Sequence, residues 1–473
     1  MVLQQGTLRI IVICFVLCVV GLHGAGLAYA DPAQPEAGGA TANTKTPSST
    51  RVKPPTRTKP PTRTPTNTRT PTATPTFTPT MTPTATRVAL TPVPSDMMGL
   101  VGRDPYFETT RGRVNQLAMD EMGRHMAEIG VRWVRLDVRM ATPLLAGNAA
   151  IDAAIRPYDY FIKTVAPRHG IKVLLLLNFD LLMGIDANAM ATGPFVDNAV
   201  YGPEYNTYMQ AWMRRAFRII QRYGKGVSAI EVLNEANRLP QYSAGGPVGN
   251  AVPATAWAQL VTTLYQHCNE TTLVKSCQGT PIILGGLHPR GTDAQGATPA
   301  QSDIDYLSDI YASPAFQAEY AKNGRWPVDG IGYHPYPVEL AQIGVSSQTA
   351  AFNRLRARLE LLNDPLRQVW VTEIGYNVGY ASQTEAGQAA FLRTVYQTLA
   401  VRMLSNGVRE IAVVFWFKYE DFPPATGVHA QKWGLVRIPF VDGSCPGGAC
   451  YERSGLPSYY RLAWYYYRDI HQP

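Results

Sequence analysis

From Met98 onward the chain repeats one pattern: a short apolar run rich in β-branched residues, followed by an amphipathic stretch long enough for a helix. Strands buried on both faces read as continuous apolar runs, and crossover helices between them return the chain to a parallel neighbour. Eight rounds fit, with strands expected at Met98–Val101, Trp133–Val138, Lys172–Asn178, Ala229–Asn234, Pro281–Gly286, Gly330–His334, Val369–Glu373 and Ile411–Phe417. Eight parallel strands with helical crossovers close into a (β/α)8 barrel of the TIM type. The span 98–473 exceeds the typical ~250 residues of that fold, so loops at one end must be enlarged. Between the strands, Leu117, Met122 and Met126 recur toward one face of an expected helix over Val114–Ile129. Met209, Met213, Phe217 and Ile220 do the same over Tyr205–Tyr223, and both stripes read as core with no cofactor implied. The aromatic run Trp464–Tyr467 reads as the buried face of a last helix that closes the barrel.

The first 97 residues cannot add to such a core. Residues 1–30 carry Arg9, the apolar run Ile10–Leu22 and an Ala28-Tyr29-Ala30 exit, the layout of a signal peptide. A retained N-terminal anchor is the rival, since the run extended to Ala30 just reaches bilayer length. Residues 31–97 are dominated by Thr, Pro, Ala and Arg and are expected to form a disordered linker, a stalk of up to roughly 190 Å if extended as polyproline II. With no folded module before it, the stalk suits a tether to a membrane or cell wall. The net charge of +8 lies mostly here, and residues 98–473 retain only +2, so basicity gives no support to nucleic-acid binding. Beyond Cys14 and Cys18, the cysteines form two close pairs, Cys268 with Cys277 and Cys445 with Cys450. In an exported protein these are expected as local disulfides; a zinc site is the rival, but the Cys-x8-Cys and Cys-x4-Cys spacings disfavour it.

Chemistry in these barrels sits where strands end and the following loops begin. The fourth expected strand ends in Asn234-Glu235 and the seventh in Glu373, two carboxylates facing each other across one mouth. Cleaving a glycosidic bond takes an acid to protonate the leaving oxygen and a carboxylate to attack the anomeric carbon or activate water. An Asn-Glu pair on strand four with a Glu on strand seven resembles glycoside hydrolase clan A, most closely the cellulase-like family 5 and family 39 types. The resemblance spans Met98 to about Gln472. It implies a retaining double displacement, with Glu235 as acid/base, Glu373 as nucleophile and Asn234 as donor to the sugar 2-hydroxyl. Arg135 resembles the strand-two arginine that holds the nucleophile ionised. In Gly332-Tyr333-His334-Pro335-Tyr336 the resemblance gives His334 to the acid/base and Tyr336 to Glu373, and it makes Trp416 the aromatic floor of the subsite beside the scissile bond. Family 5 members usually carry a His at the end of strand three, where this chain has Asn178.

Asp137, Arg139, Asn178, Asp180 and Asn237 are further candidates for substrate contact, and Tyr376, Asn377, Phe179 and Trp433 for outer subsites. Glu420 and Asp421 read as loop surface. His288, His334 and His429 have no ligand spacing and no Gly-rich phosphate loop follows the first strand, so neither metal nor cofactor is expected. The expected protein is a secreted, monomeric hydrolase of a β-linked polysaccharide or oligosaccharide. A catalytically idle sugar-binding barrel on a stalk and a glycan-remodelling transglycosylase are the alternatives, while glucan, mannan, xylan and exopolysaccharide all stay open as substrates.

Overall fold

The computed structural model describes residues 92–471, apart from 106–108, 111–112, 141, 183–186, 191, 238–251, 271–276, 290–301, 337–344, 381, 423–431, 438–439, 442–451 and 454–458. The expected signal segment, most of the linker, Cys445, Cys450 and His429 therefore lie outside the described residues. The folded part begins earlier than Met98: Val93 is buried, and its N–H donates to the Ile470 carbonyl at 2.9 Å.

Eight parallel strands form a closed barrel, each paired with its neighbours in sequence and the first with the last. They are β1 (Met98–Val101), β2 (Trp133–Asp137), β3 (Lys172–Leu177), β4 (Ala229–Val232), β5 (Ile282–Leu287), β6 (Gly330–Tyr333), β7 (Val369–Gly375) and β8 (Ile411–Phe417). Closure is carried by Gly99 opposite Trp133 on one side and Gly99 opposite Phe415 on the other. Every expected strand is present, with ends within two residues.

Successive side chains on a strand point to opposite faces, so each strand feeds two cores. Inward, Trp133, Leu174, Ala229, Ile283, Trp370, Val413 and Phe415 fill the barrel, with the Trp133 and Trp370 rings meeting edge to face at 5.2 Å. Outward, Val134, Leu136, Val371, Val414 and Trp416 pack under the helices.

The helix Thr207–Tyr223 starts at Asn206, whose side chain accepts from the Met209 N–H, and buries Met209, Met213, Phe217 and Ile220 as expected. Each such burial is worth about 1.5–3 kcal/mol. In the helix Gln116–Glu128, Met119, Met122 and Met126 are buried, whereas Leu117 is 65% exposed. Leu117 lies five positions before Met122, about 140° round the helix, and so leaves the buried stripe. In the last helix, Leu462–Asp469, Trp464 and Tyr467 are buried and Tyr465 faces outward. The Tyr467 hydroxyl donates to the Gly99 carbonyl of β1 at 2.7 Å, which pins this helix to the barrel.

Glu420 and Asp421 are not loop surface. Glu420 is 1% exposed and pairs with the buried Arg103, and Asp421 accepts from the buried Arg461 guanidinium. Cys268 is disulfide-bonded to Cys277, joining the end of the helix Ala254–Asn269 to the segment that enters β5.

Candidate active site

The polar centre lies on the inward faces of β2, β4 and β7, one layer above the apolar filling. Arg135 follows Trp133 by two residues and so points inward like it. Its Nε and Nη2 donate to the two oxygens of Glu231 at 2.5 and 3.1 Å. Nη2 also donates to Asn234 Oδ1 at 2.7 Å, and Nη1 to Glu373 Oε1 at 2.5 Å. Burial works against the guanidinium charge, yet Glu231 and then Glu373 outweigh it and hold the Arg135 pKa above its ordinary value.

Glu231 went unassigned in the sequence. It sits inside the apolar run of β4 with no exposure, and its Oε1 also accepts from the Gly286 N–H at 3.0 Å. An ionisable residue at an inward position of an otherwise apolar strand was the available signal, because such a group needs a partner.

Past Val232 the backbone leaves the strand: Leu233 and Glu235 take φ of 60° and 48°, the left-handed region that side chains other than glycine rarely adopt. Strain of this kind persists only where neighbours over-determine it. Here Leu233 N–H donates to Leu177 O and Glu235 N–H to Gly286 O, both at 2.9 Å. Two glycines of β5 make room for this turn. A Cβ on Gly285 would stand 1.7 Å from the Leu233 carbonyl oxygen, and one on Gly286 would stand 1.9 Å from His334 Nε2.

His334 is fully buried and uses both ring nitrogens, Nδ1 at 2.8 Å from Glu235 Oε1 and Nε2 at 3.0 Å from Thr372 Oγ1. If the Thr372 hydroxyl donates to Nε2, the neutral ring carries its proton on Nδ1 and donates to Glu235. Thr372 and Glu373 are consecutive, yet both belong to the mouth. β7 carries an extra residue against β8, since Val371 pairs with Val414 and Ile374 with Trp416. Such a bulge re-aims a side chain, and here it turns Glu373 inward beside Thr372.

Tyr336 donates to Glu373 Oε2 at 3.4 Å. Burial, then the charges of Glu373 and Glu235, push its pKa well above the ordinary value, so it stays a donor. One oxygen of Glu235, one of Glu373 and a nitrogen of His334 lie within 4.8 Å of one another. The Glu235 and Glu373 side chains are 12% and 14% exposed, while Arg135, Glu231 and His334 are sealed behind them. The pair is reachable from the mouth and its supports are not. The same three groups are the trio among the described residues that could hold a metal ion, but the Arg135 guanidinium already occupies Glu373 with positive charge.

Trp416 is not part of this mouth. It is fully buried and packs outward against Phe391, with ring centroids 6.1 Å apart. On β8, Val413 and Phe415 point inward, so Trp416 must point to the helices and Phe417 inward. Phe417 is the aromatic residue at the mouth, and its ring meets Trp433 at 5.5 Å. Trp433 in turn meets Tyr336 at 5.8 Å. The aromatic floor expected at Trp416 is thus displaced by one residue and joined by Trp433.

Arg139 reaches Asp104 at 3.2 Å, Asp137 at 3.1 Å and Asp180, which gathers three of the mouth's acids on one cation. Asn178 stands at the end of β3, its carbonyl accepting from Trp212 Nε1 at 3.0 Å and its Oδ1 buried without a partner. Phe179 is partly buried against the core. Asn237, Tyr376 and Asn377 are buried supports and not subsite walls. Asn237 exchanges hydrogen bonds with the His288 backbone, Asn377 Oδ1 accepts from Gly379 and Lys432 N–H groups, and Tyr376 packs on Phe391.

No family model matches the chain, and no curated protein does. Solved structures do match at low identity. A family 39 glycoside hydrolase from Bacteroides cellulosilyticus WH2 shares 16% identity at a TM-score of 0.44, over 77% of this chain and 69% of its own. The virulence factor SghA of Agrobacterium tumefaciens shares 13% at 0.47, over 80% and 97%. An aphid myrosinase shares 12% at 0.46, over 80% and 99%. At these identities the likeness is one of fold, which the closed strand order already establishes.

Proposed function

We propose that the chain is a secreted retaining β-glycoside hydrolase, with Glu373 as nucleophile and Glu235 as acid/base, acting on a β-linked polysaccharide or oligosaccharide. The observation that carries this reading is the pair of carboxylates at one mouth, with an oxygen of each within 4.8 Å. Retaining enzymes keep their carboxyl groups about 5–5.5 Å apart, whereas inverting ones need roughly 6.5–9.5 Å to admit a water between.

In the first step Glu373 attacks the anomeric carbon through Oε2, the oxygen not taken by Arg135. The glycosidic C–O bond breaks as Glu235 gives its proton to the departing oxygen. In the second step Glu235 takes a proton from water, the water oxygen bonds to the anomeric carbon, and Glu373 leaves as a carboxylate. His334 Nδ1–H holds Glu235 Oε1 throughout, which leaves Oε2 to carry the travelling proton. Asn234 Oδ1 accepts from Arg135 Nη2, which turns its amide N–H groups toward a sugar hydroxyl.

The test is reducing-sugar release from β-glucan, β-mannan, xylan and bacterial exopolysaccharides, with NMR reading the anomer formed first. Glu235→Gln and Glu373→Gln should each lose on the order of 10²–10⁴-fold in rate while keeping the fold. First formation of the inverted anomer, or full activity in either variant, would sink the assignment.

A further inference from the structure

We propose that the mouth beside β8 takes a sugar carboxylate, with the Lys418 ammonium as its counter-ion, so that the substrate is a uronate-bearing β-glycan. This deepens the hydrolase reading and rests on it.

Lys418 directly follows Phe417, the last residue of β8, at the barrel end that holds Glu235 and Glu373. A row of rings connects it to the reaction centre. Phe417 meets Trp433 at 5.5 Å, Trp433 meets Tyr336 at 5.8 Å, and Tyr336 donates to Glu373. Successive rings meet edge to face, at 78° and 74°, so any one of them can offer a face to the apolar side of a pyranose but together they form no continuous platform. The Lys418 ammonium stands 5.9 Å from the Phe417 ring centre and 3.7 Å from that of Phe422.

The neighbouring cations already have carboxylates. Arg103 pairs with Glu420, and Arg139 with Asp104, Asp137 and Asp180. Among the described residues Lys418 forms no ion pair, and what its ammonium meets is the Phe422 ring. A ring face balances a cation only in part. Burial, then Arg103 and Arg139, push the Lys418 pKa down to about 7, and Asp104 and Asp421 only partly offset them. Burial and the nearby Asp180 likewise raise the Asp137 pKa against the pull of Arg139. Lys418 is therefore half-buried at the end of this group of rings, with a ring face and no carboxylate of its own among the described residues. A carboxylate on the pyranose would pair with the Lys418 ammonium and leave the Arg103 and Arg139 pairs in place.

The experiment compares kcat/KM on matched β-linked oligosaccharides that differ only in glucose or glucuronic acid at one position. At pH 6 the wild type should favour the uronate by roughly tenfold or more, the scale of one charge-assisted contact. Lys418→Met should lose that preference mainly through KM, with the neutral substrate unchanged, and Lys418→Arg should restore part of it. Raising the pH through 7 to 9 should erode the preference in the wild type and leave Lys418→Met flat. A wild type indifferent to the carboxylate, or a Lys418→Met loss equal on both substrates, would overturn the proposal. Should neither substrate be cleaved, calorimetric binding of the two oligosaccharides to Glu373→Gln and to the double variant with Lys418→Met still reads the carboxylate preference. A preference seen there would fault the hydrolase reading alone, and its absence would fault this one.

Discussion

Trp133 and Arg135 point to the same side of the same strand, one layer apart, and their surroundings have little in common. Around Trp133 the barrel is filled by Leu174, Ile283, Trp370 and Phe415, held by shape and the exclusion of water. Around Arg135 the filling is Glu231, Asn234 and Glu373, held by charge-assisted hydrogen bonds. The lower layer tolerates change by repacking; the upper one does not, because removing one charge strands another. The proposed activity thus rests on the layer with least freedom to vary, and Glu231 is where the two meet: it is sealed like the core and charged like the site.

The largest expected effect that separates the layers comes from cutting each in turn. Glu231→Ala leaves Arg135 with a buried, half-met charge and should cost about 3–5 kcal/mol in urea unfolding. Trp370→Ala, which opens a cavity in the lower layer, should cost a similar ~3–5 kcal/mol. The layers differ in what else is lost. Glu231→Ala should lower kcat/KM of the molecules that remain folded, because Arg135 no longer orients Glu373, whereas Trp370→Ala should leave it within a few-fold. If both variants lose activity in proportion to stability alone, the division between the layers is broken.

A second test reads the alternation on β8. Trp416→Ala should destabilise by about 3–5 kcal/mol with little change in KM, since the ring lies in the outer core. Phe417→Ala should cost less stability, on the order of 1–2 kcal/mol for a partly exposed ring, and raise KM for a polymeric substrate. The opposite pattern would show that the mouth face of β8 is carried by Trp416.

That pair also marks where reading from sequence ends. The eight strands and the meeting of Glu235 and Glu373 at one mouth were legible because apolar periodicity and strand ends are local properties. Trp416 was misplaced because in an all-apolar strand either parity satisfies the pattern, and only the partner strand decides which face looks inward. Glu231 was passed over because its partner, Arg135, is remote in sequence. Glu420 looked like loop surface for the same reason, its partner Arg103 lying beyond β1. The bulge that turns both Thr372 and Glu373 inward is a property of pairing with β8 and leaves no mark in β7 alone.

Thr372 carries the smallest and most specific expectation. Its hydroxyl stands 3.0 Å from His334 Nε2 and, taken as the donor there, selects the tautomer that donates Nδ1–H to Glu235. In Thr372→Val the shape is kept and the donor is lost, so the ring becomes free to carry its proton on Nε2 and to accept at Nδ1. Glu235 would then keep its proton on Oε1, turned from the substrate. Stability should fall by about 0.5–1.5 kcal/mol, the scale of one hydrogen bond. The rate should fall a few-fold in kcat with KM nearly constant, and the basic limb of the pH–rate profile should move. Thr372→Ser, which restores the hydroxyl, should recover both the rate and the profile. A Thr372→Val enzyme that is slightly less stable but has an unmoved profile would mean that His334 keeps its tautomer without Thr372, and that the sealed layer behind Glu235 acts by packing alone.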